Sequence, residues 1–368
     1  MTNAVDIAQS GSNNVTMRNR IINGGMAIDQ RKSGAIVATT TTGAFSYTVD
    51  RWAYFVDAAS KFTVQQTPSA TETGYATRVG AGFTNYLAMT STSAYTAGSS
   101  EILVMSQPIE GFNFSDMAWG TANAKTVTLS FWAYSSLTGT HSGSIGNGVG
   151  YSYPFSFSIP TANTWTQISV TIAGPTTSTW PTNNTANAYL FFNMGCGSAR
   201  LSTAGAWTAT ASYGATGSVS LVGTNGATFY ITGVQLEKGS TATPFEQRLY
   251  GTELALCQRY YYKQQSTGAA SYFGVGTVNS STLVVALIKF PVALRTAPSA
   301  LEQDGTAGDY RVTVGATSTN CSSVPVFNSG DVWGATVQFT VASGLTIAQS
   351  ALLRSVNSTA YLGWSAEL

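Results

Sequence analysis

The sequence predicts an all-β protein: two antiparallel β-sandwich domains, jelly-roll-like, joined by a short helix and preceded by an extended N-terminal arm. Three observations predict this. Apolar and polar residues alternate at period two along many short segments, no long segment repeats every 3.6 residues, and clusters of Gly, Pro, Asn and Ser separate the segments. No fixed-period repeat is visible, which argues against a solenoid.

The elements follow in chain order. Residues 1–20 (MTNAVDIAQSGSNNVTMRNR) are polar and have the composition of an attachment arm; they lack the apolar core of an export signal. The first sandwich is expected over 21–248. Within it Val127, Leu129 and Phe131 share one face while Thr126, Thr128 and Ser130 share the other. Phe155, Phe157 and Ile159 repeat the pattern, as do Ile168, Val170 and Ile172. In ATFYITGVQLEKG the apolar parity changes at Gly233, which predicts either a β-bulge there or the end of one strand and the start of another.

Residues 249–264 read as a short helical linker. Thr252 is a candidate N-cap, and Leu254, Cys257 and Tyr261 are spaced i, i+3, i+7 along a surface that would pack against other copies of the chain. A distal sandwich is expected over 265–368, where Val337, Phe339 and Val341 alternate again. The boundary between the two domains falls near 245 to 258.

Charge narrows the function. Lys, Arg, Asp and Glu make up 9% of 368 residues, with a net charge of +1, against about a quarter in an average domain. Capture of nucleic acid through its phosphates needs a basic excess that is missing, and a disordered chain would be less apolar. One histidine, His141, excludes a histidine-cluster metal site. The longest apolar run, Leu283 to Ile288, is far short of the about 20 residues that span a membrane, so no membrane insertion is expected. Cys196, Cys257 and Cys321 are odd in number and form no CxxC, as expected of inert thiols. A Ser-, Thr-, Asn- and aromatic-rich surface without an export signal suggests assembly in a cytoplasm and release within a particle.

No catalytic residue, metal ligand or cofactor site is assigned. His141 lies in GTHSGSIGNG with no GxSxG nearby and reads as part of a turn. The runs GSIGNGVG and NMGCGS lead into no helix, so they read as hairpin loops rather than phosphate cradles. The acidic residues are scattered and form no DxD or ExE cluster of the kind that would mark a glycosidase's carboxylate pair, which leaves pairing in space open, and no acidic loop has calcium-ligand spacing. Aromatics in loops are the better lead, because ring faces stack on sugars while Asn, Ser and Thr supply neutral hydrogen bonds. Trp180 in GPTTSTWPTNN, Tyr151 and Tyr153 beside the glycine run, and Tyr272, Tyr310 and Trp333 in the distal domain are the candidate ligand-binding residues, with Phe273 beside Tyr272.

Several long segments carry a family resemblance. NRIINGGMAIDQR at 19–31, YTVDRWAY at 47–54, SQPIEGFNFSDMAWGTANAKTVTLSFWAYSS at 106–136, TWTQISVTIAG at 164–174 and ITGVQLEKGSTATPFEQR at 231–248 resemble the tail fibre and receptor-binding virion structural proteins of tailed bacteriophages. ELALCQRYYYK at 253–263 resembles the junction before their distal domain, and AYLGWSAEL at 360–368 its terminal strand. The resemblance implies a homotrimeric, non-enzymatic adhesin of the virion, assembled in the host cytoplasm. Its arm would join other tail, baseplate or capsid proteins, its first sandwich would resemble a carbohydrate-binding module, and its distal domain would contact a host cell-surface glycan or protein. The family supplies no catalytic residues to carry over. The rival expectations are a capsid decoration or baseplate protein with no host-binding role, a glycan-cleaving enzyme, and a free secreted binding module.

Overall fold

Alternating sequence becomes strand almost everywhere in the computed structural model, which describes residues 17–68 and 82–368. The chain divides into two units between Tyr250 and Gly251.

The first unit is a sandwich of two six-stranded sheets. One has the spatial order β1 (Val37–Ala38), β4 (Phe62–Pro68), β5 (Asn85–Ser91), β14 (Thr228–Lys238), β7 (Val127–Ser135), β10 (Thr166–Ile172). The other runs β2 (Ser46–Tyr47), β3 (Ala53–Val56), β6 (Leu103–Glu110), β11 (Ala186–Asn193), β8 (Gly139–Gly146), β9 (Ser152–Ile159). All neighbours in both sheets are antiparallel, and the chain crosses repeatedly between them. A small parallel ribbon, β12 (Leu201–Ser202) with β13 (Gly214–Ala215), lies outside both. The inward face of β7 packs ring on ring against the facing sheet: Phe131 lies 5.1 Å from Phe157 and 5.2 Å from Phe192, both edge-on.

The parity change at Gly233 is a bulge within one continuous strand. Thr232 pairs with Trp132 and Gln235 with Ser130, so Gly233 and Val234 together oppose Phe131 alone. Gly233 has φ +61°, a left-handed conformation open to glycine at little cost. The extra residue keeps both Ile231 and Val234 in the core.

The glycine run differs from expectation. GTHSGSIG is strand β8, not a loop, and the turn is confined to the residues after it, where Asn147 Oδ1 accepts from the Val149 and Tyr151 amides at 3.1 Å. Its glycines answer to packing: a Cβ on Gly143 would sit 2.2 Å from the Phe191 carbonyl oxygen and 2.5 Å from the Phe155 ring. His141 is therefore a buried strand residue, its ring stacked on Phe157 and Phe229 at 5.8 and 5.6 Å.

Of the expected arm, residues 1–16 lie outside the described residues. Asn19 and Arg20 are hydrogen-bonded into the first sandwich. Asn19 spans β14 with its amide, donating to the Val234 carbonyl at 3.0 Å and accepting from the Leu236 amide at 3.0 Å. Arg20 N–H donates to the Leu236 carbonyl at 2.8 Å. Glu246 in turn accepts from the Asn19 amide at 2.9 Å and pairs with Arg248 at 2.9 Å. The distant segments NRIING and PFEQR are thus two sides of one part-buried junction.

After helix α1 (Tyr250–Gln258), the second unit pairs a two-stranded ribbon, β15 (Tyr261–Gln265) with β23 (Tyr361–Ser365), with a seven-stranded antiparallel sheet. The sheet order is β19 (Thr317–Asn320), β18 (Tyr310–Val314), β22 (Ser350–Ser355), β16 (Tyr272–Val278), β17 (Leu283–Lys289), β21 (Gly334–Thr340), β20 (Val326–Asp331). Its core holds Val337, Phe339, Leu353 and, from the ribbon, Trp364.

The linker residues differ from the expected helical stripe. The helix ends at Gln258, so Leu254 and Cys257 lie on it while Tyr261 opens β15. Cys257 and Tyr261 are 1% and 2% exposed, and the Tyr261 hydroxyl donates to Glu302 at 2.9 Å. Two of the three residues expected to face other copies are therefore packed inside the chain.

Candidate functional site

The inward placement of Phe131 and Ala133 on β7 forces Trp132 and Tyr134 onto the outer face of the sheet. Their register partners on β14, Thr232 and Tyr230, share that face, and Tyr86 of β5 joins them. Tyr134 and Tyr230 stack 4.9 Å apart with planes 6° from parallel. Tyr86 lies 5.1 Å from Tyr230, and Trp165 lies 5.6 Å from both Tyr86 and Tyr134. Trp132, Tyr134 and Tyr230 are half-buried, so part of each ring surface remains open.

Beside this row of rings is a cleft of about 230 Å³. Phe83, Trp132 and Phe245 form its aromatic walls, and Ser130, Gln167 and Thr243 its polar lining. Two local devices build it. The bulge is the first: a Cβ on Gly233 would meet the Phe83 ring at 2.7 Å and Trp132 at 3.4 Å, so the missing side chain is what lets these rings approach. The chain that returns over the sheet after β14 is the second. Glu237, 1% exposed, holds it by accepting from the Thr243 amide at 2.8 Å and the Thr243 hydroxyl at 2.6 Å, while Gln235 accepts from the Glu246 amide at 2.8 Å. This segment also explains why Thr128 and Ser130 are buried although they sit on the outer, polar face.

Among the described residues, the cleft lining holds no Asp, Glu, Lys, Arg or His. Rings at two sides, with hydroxyl and amide groups between them, can stack on an apolar face and hydrogen-bond a rim of hydroxyls.

The structure distributes the residues singled out from the sequence differently. Tyr151, Tyr153 and Trp180 do come together, around Trp207: Tyr151 stacks on it at 5.4 Å and 5°, and Tyr153 and Trp180 meet it at 5.5 and 5.6 Å. Trp180 is 7% exposed, lies 4.9 Å from Trp119, and donates through Nε1 to the Thr177 carbonyl, so it closes the core instead of facing a ligand. In the second unit Tyr310 is fully buried, its hydroxyl donating to the Tyr361 carbonyl at 2.7 Å, and Phe273 is buried beside it. Burial withdraws both rings from ligand contact. Tyr272 on β16 and Trp333 in the β20–β21 turn are each 60% exposed, and the Arg354 guanidinium covers one face of Tyr272 at 5.0 Å.

Phe83, Trp132, Gln167, Thr243 and Phe245 were not singled out from the sequence. For Trp132 a signal exists: in TLSFWAYSS it falls on the same parity as Thr128 and Ser130, so a large ring stands where the polar face is due. Phe83, Thr243 and Phe245 reach the cleft from irregular chain, which no periodicity marks. His141 is held neutral by burial, which pushes its pKa down against the raising effect of its hydrogen bond to Leu137. No group of three or more His, Cys, Asp or Glu among the described residues is placed to hold a metal.

No family model matches the chain, and no curated protein matches it. Among solved structures, it is similar to the enzymatically active domain of tailspike protein 4 of bacteriophage CBA120, at 14% identity and a TM-score of 0.30, over 60% of this chain and 22% of that one. It is similar to a family 11 carbohydrate-binding module from Clostridium thermocellum, solved with a β-1,3-1,4-mixed-linked tetrasaccharide, at 13% identity and a TM-score of 0.27, over 56% of this chain and 99% of that one. The N-terminal cellulose-binding domain of the Cellulomonas fimi β-1,4-glucanase C is also similar, at 14% identity and a TM-score of 0.26, over 44% of this chain and 82% of that one.

Proposed function

We propose that the protein is a carbohydrate-binding virion structural protein, the tail fibre or receptor-binding subunit of a tailed bacteriophage, which adheres to a host surface glycan without cleaving it. The observation that carries the reading is the uncharged cleft walled by Phe83, Trp132 and Phe245 and lined by Ser130, Gln167 and Thr243. It offers ring faces and neutral hydrogen bonds, the two things a sugar recognises, and no proton-transfer group. The long segments that resemble virion fibre proteins support the assignment to a particle. In this reading the first unit carries the ligand site, the N-terminal segment joins other virion proteins, and the chain works as a homotrimer. Three weak cleft sites on one particle raise avidity by about 10²–10⁴-fold over a single site.

Adhesion of the labelled full-length protein to host cells tests this, with Trp132→Ala as the variant. Adhesion falls at least about tenfold when Trp132 is truncated, the loss of roughly one ring contact at each cleft. Unchanged adhesion by a folded Trp132→Ala protein sinks the cleft as the site. Incubation with purified host polysaccharide leaves its chain length unchanged; shortening would make the protein an enzyme.

A further inference from the structure

β18 and β22 of the second unit set two arginines directly opposite each other. Tyr310 and Val312 on β18 and Leu353 on β22 turn into the core, so Arg311 and Arg354 stand on the outer face of the seven-stranded sheet. The two are register partners. At such a pair the Cβ atoms lie about 4.5–5.5 Å apart, and like charges there are destabilising. Among the described residues, no carboxylate forms an ion pair with either arginine. Two adjoining strands thus carry two uncompensated positive charges, in a chain whose whole net charge is +1.

Their neighbours make the pair the centre of a set of donors. Arg311 Nε donates to Asn320 Oδ1 on β19 at 3.1 Å, which occupies the Asn320 acceptor and leaves its amide protons to give. Arg354 lays its guanidinium over the Tyr272 ring at 5.0 Å, and stacking takes up a face of the group but not its N–H edge. Its Nε is buried and has no hydrogen-bond partner. A cation left short of partners in this way gains more from an anion than a fully hydrated one. One register step along the same face, the hydroxyls of Thr313 and Ser318 share one hydrogen bond at 2.9 Å, so one of their two protons remains. The acidic residue nearest to Arg311 in the chain, Asp309, accepts from the Thr359 hydroxyl at 2.8 Å.

We infer that this face binds a phosphate group, held between Arg311 and Arg354 with Asn320 and Ser318 as neutral donors. Two guanidiniums match the nearly double negative charge of phosphate at neutral pH, and the planar fork of each fits two of its oxygens. The bound anion removes the repulsion between the two arginines and gives Arg354 the partner it lacks. Leu352 and Val275, register partners at 37% and 60% exposure, continue the face beside the pair and suit the organic part of a phosphate ester. The inference is independent of the cleft in the first unit and involves no sugar.

The test follows the Nε–H signals of Arg311 and Arg354 by ¹H–¹⁵N NMR of the full chain, each assigned through Arg311→Gln or Arg354→Gln. Inorganic phosphate and butyl phosphate are titrated at constant ionic strength, with sodium chloride making up the difference. Both signals shift and saturate, and affinity falls about tenfold or more in each variant, the loss of one charge-assisted contact. Trp132→Ala, which alters only the first unit, leaves the titration unchanged. Tighter binding of butyl phosphate supports the site with an ester as its ligand, and equal binding supports it with the free ion. Urea unfolding shows that the variant folds: in chloride, Arg311→Gln is relieved of its like charge and unfolds at a midpoint no lower than the wild type's. Phosphate then raises the midpoint of the wild type and not of the variant. The absence of a saturable shift, undiminished affinity in both variants, or a midpoint raised equally in wild type and Arg311→Gln overturns the site.

Discussion

Gln107 and Ile22 pair as two strands would: Gln107 Nε2 donates to the Ile22 carbonyl at 2.9 Å, and Gln107 Oε1 accepts from the Ile22 amide at 2.9 Å. Both residues are buried, at 1% and 3% exposure. A side chain here replaces a ladder partner and anchors the first described segment to β6. Gln107→Leu leaves a buried donor and a buried acceptor unsatisfied, each costing about 1–3 kcal/mol. Urea unfolding of the variant shows about 2–6 kcal/mol less stability; an unchanged midpoint would refute the anchor.

Gly233 and Gly226 separate two costs that a left-handed glycine can carry. Both have positive φ, +61° and +74°, but a Cβ on Gly226 meets nothing within 4 Å, while one on Gly233 meets Phe83. Gly226→Ala therefore costs only the conformational strain, about 1–2 kcal/mol. Gly233→Ala costs that and the displacement of Phe83, and it also weakens glycan adhesion, because the added methyl group enters the cleft. Paired unfolding and adhesion measurements check this; equal behaviour of the two variants contradicts the role given to the bulge.

What the sequence displays and what it hides follow from the physics of sheets. Alternation at Val127, Leu129 and Phe131 exposes the core face, and the slip of parity at Gly233 exposes the bulge, because period two is a local property. Sequence cannot show that a distant segment lies on the outer face. Ser130 and Thr128 read as solvated, and are buried where the chain returns after β14: the Thr128 hydroxyl donates to the Gly239 carbonyl, and Thr243 lines the same cleft as Ser130. For the same reason, Trp180 and Tyr310 read as loop aromatics although they are core rings. Their burial comes from Trp119 and Trp207 in one case, and from Phe273 and Phe339 in the other. Glycine misled in β8, where Gly143 marks close contact with Phe191 and Phe155 rather than a turn. The family-like segments NRIING and PFEQR make sense only together, through Asn19, Glu246 and Arg248.

Trp207 sets the end-cluster rings apart from the cleft rings. It is touched by Tyr151, Tyr153, Trp119 and Trp180, and its Nε1 donates to the Ala173 carbonyl at 2.7 Å. Trp207 is half-buried, so Trp207→Ala uncovers the rings it touches and costs less, by thermal or urea unfolding, than the about 3–5 kcal/mol of truncating a fully buried Trp. Adhesion measured below the lowered melting temperature stays at the wild-type level. A folded Trp207→Ala protein that has lost adhesion would move the ligand site to this end.

The three cysteines are free thiols and all are buried. Burial pushes Cys196 and Cys321 each up to about 12, so neither forms thiolate near neutrality. The native protein at pH 8 leaves a thiol-specific disulfide reagent largely unconsumed, and denaturant releases three equivalents per chain. Rapid reaction of the native protein would contradict the burial.

His141 gives the fold one predictable response to acid. Its Nε2 lies 3.0 Å from the Leu137 carbonyl, which can only accept, so that nitrogen carries the proton of the neutral ring. Burial lowers the folded pKa below the ordinary 6.5, with the Leu137 bond opposing the shift. In the window between the folded value and 6.5 the unfolded chain binds the extra proton and the folded chain does not, so stability rises with pH there. The contribution is fully present above 6.5 and is lost as the pH falls toward the folded value. The chain has a single histidine, so its imidazole resonances need no assignment. Their titration midpoint falls below 6.5, and His141→Phe, which keeps the stacking on Phe157 and Phe229, flattens this part of the stability profile. A midpoint at or above 6.5 would mean that the folded chain holds the charged ring as readily as water does, which a ring stacked between two phenyl groups with one carbonyl partner cannot do.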